Sequence, residues 1–155
     1  MGLVLKIQKC REDVILPEVT NQNAGIDLRV LTEDGQSVTI QPHEAFKFRT
    51  GIKMDIPEGY YIEVLPRSST GVKKNLRLLN TAGILDEGWK GETLLFVENT
   101  GEFPVTVENN ERLFQMILHK VYPVIIQEVD KVGTSERGEG GFGSTNYDKS
   151  GKRVL

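Results

Sequence analysis

AFKFRTGIKMDIP (residues 45–57) followed by YYIEVLP (60–66) is the stretch that decides the fold. It reads as two strand-like runs parted by the turn formers Pro57-Glu58-Gly59. The same unit recurs in both directions. LVLKIQK (3–9) and SVTIQP (37–42) precede it, and ETLLFVEN (92–99), FPVTVE (103–108), RLFQMILHKV (112–121) and VIIQEVD (124–130) follow. Glu33-Asp34-Gly35, Asn99-Thr100-Gly101 and Asn109-Asn110 supply further turns. Many short strands at regular spacing predict an all-β chain: a sandwich, barrel or jelly roll. One segment, Ser69 to Asn75, reads as helix, and it spans about two turns at most.

The chain's 155 residues fit one domain with a core of its own. Hydrophobic residues make up 38% and charged residues 26%, a soluble, globular balance. A net charge of −3 argues against general nucleic-acid or membrane-surface binding, both of which usually draw on a basic excess. No stretch approaches the ~20 apolar residues of a membrane span. MGLVLKIQKC (1–10) alternates like a strand and lacks the apolar core and cleavage site of a signal peptide. The single cysteine, Cys10, has no partner for an internal disulfide, which fits a reducing cytoplasm. It reads either as a small core residue or as a surface thiol.

Two segments depart from the alternation of strand and polar turn. One is Pro66-Arg67-Ser68-Ser69-Thr70-Gly71, just ahead of the helical segment. Backbone N–H groups, hydroxyls and an arginine fork are what phosphates require; the same residues also make an ordinary turn with an N-cap serine. The other is Arg137-Gly138-Glu139-Gly140-Gly141-Phe142-Gly143-Ser144-Thr145, followed by a polar tail. Glycine at this density makes a flexible backbone, and for residues 148–155 disorder is the whole reading. In residues 137–145 a charge, a ring and two hydroxyls ride on that backbone. The mix suits a lid closing over an aromatic, anionic ligand. Between these segments, Asn80 to Glu92 reads as a β-hairpin around an acidic turn, and a hairpin's amides, with Asn80, can match a base edge. Taken alone, an aspartate such as Asp86 is more commonly a solvated turn carboxylate, and Trp89 a strand-end core aromatic.

Five short motifs then occur in order: Asn23-Ala24-Gly25-Ile26-Asp27-Leu28, Pro66-Arg67-Ser68-Ser69 with Gly71, Asn80 through Gly91, Arg112-Leu113-Phe114-Gln115-Met116, and Arg137 through Thr145. Together they resemble the motifs of the trimeric dUTPase family across nearly the whole chain. The resemblance implies hydrolysis of dUTP to dUMP and pyrophosphate, with Asp86 as the base that activates the attacking water. Asn80, with the backbone near Gly83 and Ile84, would read the uracil edge. Trp89 would pack on the deoxyribose. Arg67, Ser68, Ser69 and Gln115 would hold the phosphates, and Asp27 would support hydrated Mg²⁺ through water. Arg137, Phe142, Gly143, Ser144 and Thr145 would form the closing lid, Phe142 stacking on uracil.

The resemblance further implies a jelly-roll-like β-barrel or sandwich, with residues 1–136 as core and 137–155 as a mobile Gly-rich lid and tail of the same domain. It implies a homotrimer whose sites lie between subunits, in the cytoplasm or a host's cytoplasm. The implied role is to limit uracil incorporation into DNA and to supply dUMP for dTMP synthesis. Three positions depart from the family pattern. Trp89 stands where tyrosine is usual, Leu85 replaces an isoleucine, and Gly88 stands where many members carry a second acid. The rival reading is dCTP deaminase, which shares the phrasing from Thr81 to Trp89 but needs a glutamate where this chain has Phe96. A second rival is an inactive, regulatory scaffold, for which Asp86, Gln115 and the lid would be superfluous.

Overall fold

Strict alternation makes a core strand of residues 92–99. In Glu92–Asn99, Thr93, Leu95, Val97 and Asn99 are buried while Leu94 and Phe96 face out, so one face of the strand enters the core. The structure is a computed structural model and describes residues 2–141. The chain divides after Tyr122 into two units. In the first, the order is β1 (Lys6–Lys9), β2 (Ile26–Arg29), β3 (Val38–Ile40), β4 (Ala45–Asp55), β5 (Tyr60–Pro66), α1 (Ser68–Lys74), β6 (Leu76–Leu78), β7 (Gly83–Leu85), β8 (Glu92–Asn99), β9 (Val105–Val107) and β10 (Arg112–Lys120).

Two four-stranded antiparallel sheets, β1-β4-β8-β6 and β2-β10-β5-β7, carry most of the fold, with a small β3-β9 ribbon beside them. Phe48, Ile52, Leu95 and Val97 from one sheet and Leu28, Ile62, Val64, Phe114 and Met116 from the other form one buried cluster. The all-β expectation holds, and among the described residues the sheets stay open rather than closing into a barrel. Asn99 is fully buried yet satisfied: its Nδ2 donates to the Ile40 and Phe103 carbonyls and its Oδ1 accepts from Gly101 N–H. An unpaired amide there would cost about 1–3 kcal/mol.

Three expectations need correction. β2 and β6 are strands that the sequence reading does not include, and β7 falls in what it reads as a hairpin arm; each is three or four residues long and exists as the partner of a longer strand. The segment from Asn80 to Glu92 is not a two-armed hairpin: β7 pairs with β5, while β8 pairs with β4 and β6 in the other sheet. VIIQEVD, in the second unit, forms no strand. Its Ile125 and Ile126 are 93% and 95% exposed, because β-branched composition does not substitute for a hydrogen-bonded neighbour.

At an irregularity in β4, Gly51 has φ +70°, and a Cβ there would meet Val14 Cγ2 at 2.5 Å. Glu92 closes this gap. Its carboxylate accepts from Arg49 Nε at 2.9 and 3.0 Å and from Gly51 N–H at 2.9 Å. The Arg49 fork, reinforced by the Gly51 amide, holds the Glu92 carboxyl below its ordinary value despite partial desolvation. A lowered folded value means the stabilisation is whole above the ordinary glutamate range and is lost as pH falls through the lower one. Glu92→Gln should therefore be less stable than the parent at neutral pH, and the gap in thermal midpoint should shrink as pH falls from about 5 to 3. Parallel curves over that range would remove Glu92 from the acid response.

Candidate active site

The ladder between β2 and β10 sets Asp27 directly opposite Gln115. Arg112 stands three positions before Gln115, which in an unbroken strand puts them on opposite faces. A bulge between Arg112 and Phe114 inserts one residue and brings both side chains to the same cleft. Gln115 Nε2 donates to the Pro66 carbonyl at 3.1 Å, tying the end of β5 to β10. Arg67 N–H and Thr70 Oγ1 both donate to the Leu113 carbonyl, so the start of α1 is pinned to the bulge. Gly25 allows this closeness, because a Cβ there would fall 2.0 Å from Gln115 Oε1.

The resulting cleft, about 510 Å³, takes Gly25, Asp27, Arg67, Ser68, Arg112 and Gln115 from three separate stretches of sequence. Asp27 is shared by two arginines, Arg67 Nε at 2.9 Å and Arg112 Nη1 at 3.3 Å. Arg67 Nη1 also donates to the Arg112 carbonyl at 2.9 Å, which leaves its second terminal nitrogen for an anion. With Arg29 and Glu18 also on the wall, three guanidinium groups face two carboxylates. The excess is positive in a chain whose net charge is −3, as an anion site requires. Ser69 does not join this cleft; it lines an adjoining hollow with Thr70, Lys73 and Lys74.

Asn80, Gly83, Ile84, Asp86 and Trp89 gather at the far edge of the same sheet and line no part of the cleft. Gly83 lies opposite Val64, where a Cβ would stand 3.3 Å from the valine's own Cβ and 3.8 Å from Asn80 Nδ2. Ile84 and Asp86 are exposed. Trp89 is 52% exposed, not a core aromatic, and its backbone N–H donates to the Asp86 carbonyl at 3.0 Å. The turn is braced from below: Glu87 accepts from Gly59 N–H at 2.9 Å, and Lys90 Nζ reaches Asp55 at 2.7 Å. Arg137, in the second unit, is exposed and donates from Nε to the Gly140 carbonyl at 2.8 Å. Phe142, Gly143, Ser144 and Thr145 lie outside the described residues.

A family model described as dUTPase matches residues 12–146. The chain belongs to the dUTPase family. A Clostridioides difficile deoxyuridine 5'-triphosphate nucleotidohydrolase is 38% identical over 144 residues, covering 92% of this chain and 98% of the relative. A Fusobacterium nucleatum protein of the same name is 39% identical, over 86% and 91% of the two chains. Among solved structures, a point mutant of the Staphylococcus bacteriophage 80alpha dUTPase with dUpNHpp superposes with a TM-score of 0.82 at 22% identity, covering 93% of this chain and 99% of that one. A point mutant of the dUTPase from phage phi11 of S. aureus, described with a structural Mg(II) ion, has a TM-score of 0.73 at 18% identity. It covers 83% of this chain and 98% of that one. This likeness shows a shared dUTPase fold.

Of the cleft, sequence reasoning names Asp27, Arg67, Ser68 and Gln115; Arg112 it quotes only within the fourth motif, without a role, because its position three residues before Gln115 hides its orientation. Arg29, Glu18 and Gly25 receive no role either; only Gly25, inside the first motif, carried a signal. Among the described residues no group of three or more His, Cys, Asp or Glu side chains converges on one point. Inorganic tripolyphosphate should bind the parent, and Arg112→Ala should bind it about tenfold more weakly, because a charge-assisted contact is lost and Asp27 is left with one partner. Calorimetric titration checks this, and equal affinities would place Arg112 outside the anion's reach.

Proposed function

We propose that the chain hydrolyses dUTP to dUMP and pyrophosphate at sites shared between the subunits of a homotrimer. The observation that carries the reading is a distance. Gln115 lies opposite Leu65 on β5, and Leu85 lies opposite Ile62. Two strand spacings across and three residues along separate Gln115 from Leu85, roughly 14 Å between backbones. A general base must reach its target directly or through one water, about 6 Å at most. Asp86 lines no part of its own chain's cleft at Arg67, Ser68 and Gln115, which favours a site completed by a neighbour's turn. A threefold ring of heterologous contacts sets the acidic turn of one subunit against the cleft of the next.

In such a site Asp86 takes a proton from the attacking water as its oxygen bonds to the α-phosphorus. The bond from that phosphorus to the α–β bridging oxygen breaks, and pyrophosphate leaves with the electron pair. Arg67, Ser68 and Gln115 hold the phosphates in the cleft, and Ser69 serves them from the adjoining hollow. Arg112 adds charge, and Asp27 keeps both arginines aimed. Asn80 and the amides near Gly83 and Ile84 read the uracil edge, and Trp89 packs on the sugar. Mg²⁺ bound to the triphosphate would neutralise charge there. The donor set fits this role: the half-buried Asp27 carboxylate, already shared with two arginines, has lone pairs left for metal-bound water but offers no dedicated cage. Residues 1–136 serve as the core. Residues 137–155 supply the closing segment and tail of the same domain, through Arg137, Phe142, Gly143, Ser144 and Thr145, lent by a neighbouring subunit. The setting is the cytoplasm of a cell or of a virus's host. There the enzyme limits uracil incorporation into DNA and supplies dUMP for dTMP synthesis.

Phe96, 48% exposed on β8, offers no proton shuttle for deamination. Incubation with dUTP, dCTP, dTTP and UTP should release pyrophosphate with dUTP and no ammonia with dCTP. Asp86→Asn should bind nucleotide yet lose on the order of 10²–10⁴-fold in turnover. Ammonia from dCTP, or turnover of the variant close to the parent's, would overturn the assignment.

A further inference from the structure

Gly91 is where the structure adds a residue to the site. A Cβ at this position would lie 2.3 Å from Trp89 Cζ2, 2.7 Å from Cη2 and 2.8 Å from Cε2. All three nearest atoms belong to the outer ring of the indole, so Trp89 lies directly over the Gly91 backbone. Backbone strain is not the reason for the glycine, because Gly91 is absent from the positive-φ positions. The contrast is with Gly51, at φ +70° and closed in by Val14 and Leu31. The space above Gly91 belongs to the tryptophan.

We infer that Gly91 is a positioning residue that seats the Trp89 indole and thereby sets sugar discrimination, an inference that rests on the proposed reading of Trp89 as the surface under the deoxyribose. Three features make the seat directional. The bond from the Trp89 backbone N–H to the Asp86 carbonyl fixes where the side chain departs from the turn. Lys90, bonded to Asp55 Oδ1 at 2.7 Å and to the Glu87 carbonyl at 2.8 Å, keeps the turn from swinging. Gly91 then lets the half-exposed ring lie down on the backbone instead of sampling rotamers in water. An indole is larger than the tyrosine ring usual at this position, so its plane decides how much room remains beside the sugar's second carbon. A side chain at residue 91 would lift that plane while leaving Asp86 and the arginine cleft in place.

The seat has a direct signature in the parent protein. Gly91 Hα protons under an indole face should resonate upfield in the NMR spectrum, and random-coil positions would overturn the inference with no variant needed. Trp89 is the chain's one tryptophan, so its emission reports the ring alone. Gly91→Ala should keep the parent's circular dichroism, shift Trp89 emission to the red and increase its quenching by acrylamide. KM for dUTP should rise about tenfold with kcat within a factor of about two, and the preference for dUTP over UTP should fall. Trp89→Phe on the Gly91→Ala background, lacking the outer indole carbons, should recover KM toward that of Trp89→Phe alone; a merely structural glycine would show no such rescue. A moved ring with unchanged KM and unchanged dUTP preference would overturn the role in discrimination. A parent inert toward dUTP but with the upfield Gly91 signal would instead sink the functional reading, and the sugar role with it, leaving the seat intact.

Discussion

The carboxylate of Asp27, held between Arg67 and Arg112, is the interaction on which the cleft depends. Without it two guanidinium groups would face each other with only the bond from Arg67 Nη1 to the Arg112 carbonyl to orient one of them. Because Asp27 lies on β2 opposite Gln115 of β10, the pair is registered to the sheet and not to a loop. The Arg67 backbone is held by the same strand through the Leu113 carbonyl. Three stretches of sequence, residues 23–29, 66–68 and 112–115, thus become one surface through the two ladders that β10 makes with β2 and β5 and through its bulge. The cleft, with its excess of guanidinium groups, is therefore formed within one chain.

That ladder also sets the limit of what one chain does. The sheet that builds the cleft at β2 and β10 carries the acidic turn beyond β7, its opposite edge. Interstrand spacing is a property of backbone hydrogen bonds and is not adjustable by side chains. Each end has the chemistry for a different part of a nucleotide: guanidinium and hydroxyl groups for phosphates, amides and an aromatic ring for base and sugar. In the proposed trimer, symmetric assembly would relieve the constraint without altering the sheet, because a rotated copy would present its turn to its neighbour's cleft.

Much of this was legible in the sequence, and what was not has identifiable causes. β5 and β8 stand at the residues expected, 60–66 and 92–99, because long apolar alternation decides a strand without help from elsewhere. β2, β6 and β7 carry too few residues for periodicity; each is a strand because a longer neighbour offers it a ladder. VIIQEVD shows the converse, a composition suited to a strand with no ladder to join. In the site, Arg67 and Ser68, read from their chemistry, meet Asp27 and Gln115, which only the family resemblance pointed to. Arg112 was hidden by a bulge, a one-residue insertion that reverses the face of every residue before it. Ser68 and Ser69, adjacent in sequence, part into two hollows as the chain turns into α1. The seat of Trp89 on Gly91 is a contact between an absent side chain and a large one, and no pattern of letters announces it.

The claim that the site is completed by a second chain is tested most directly by mixing two inactive variants. Arg67→Ala spoils the cleft and Asp86→Asn spoils the acidic turn. After unfolding and joint refolding, a site that draws its turn and its cleft from different chains should be intact in about a quarter of cases in a random assembly. The mixture should then hydrolyse dUTP at a corresponding fraction of the parent's rate, while each variant refolded alone stays inactive. A mixture no more active than its components, with mixed oligomers demonstrated, would contradict the account and return Asp86 to the cleft of its own chain.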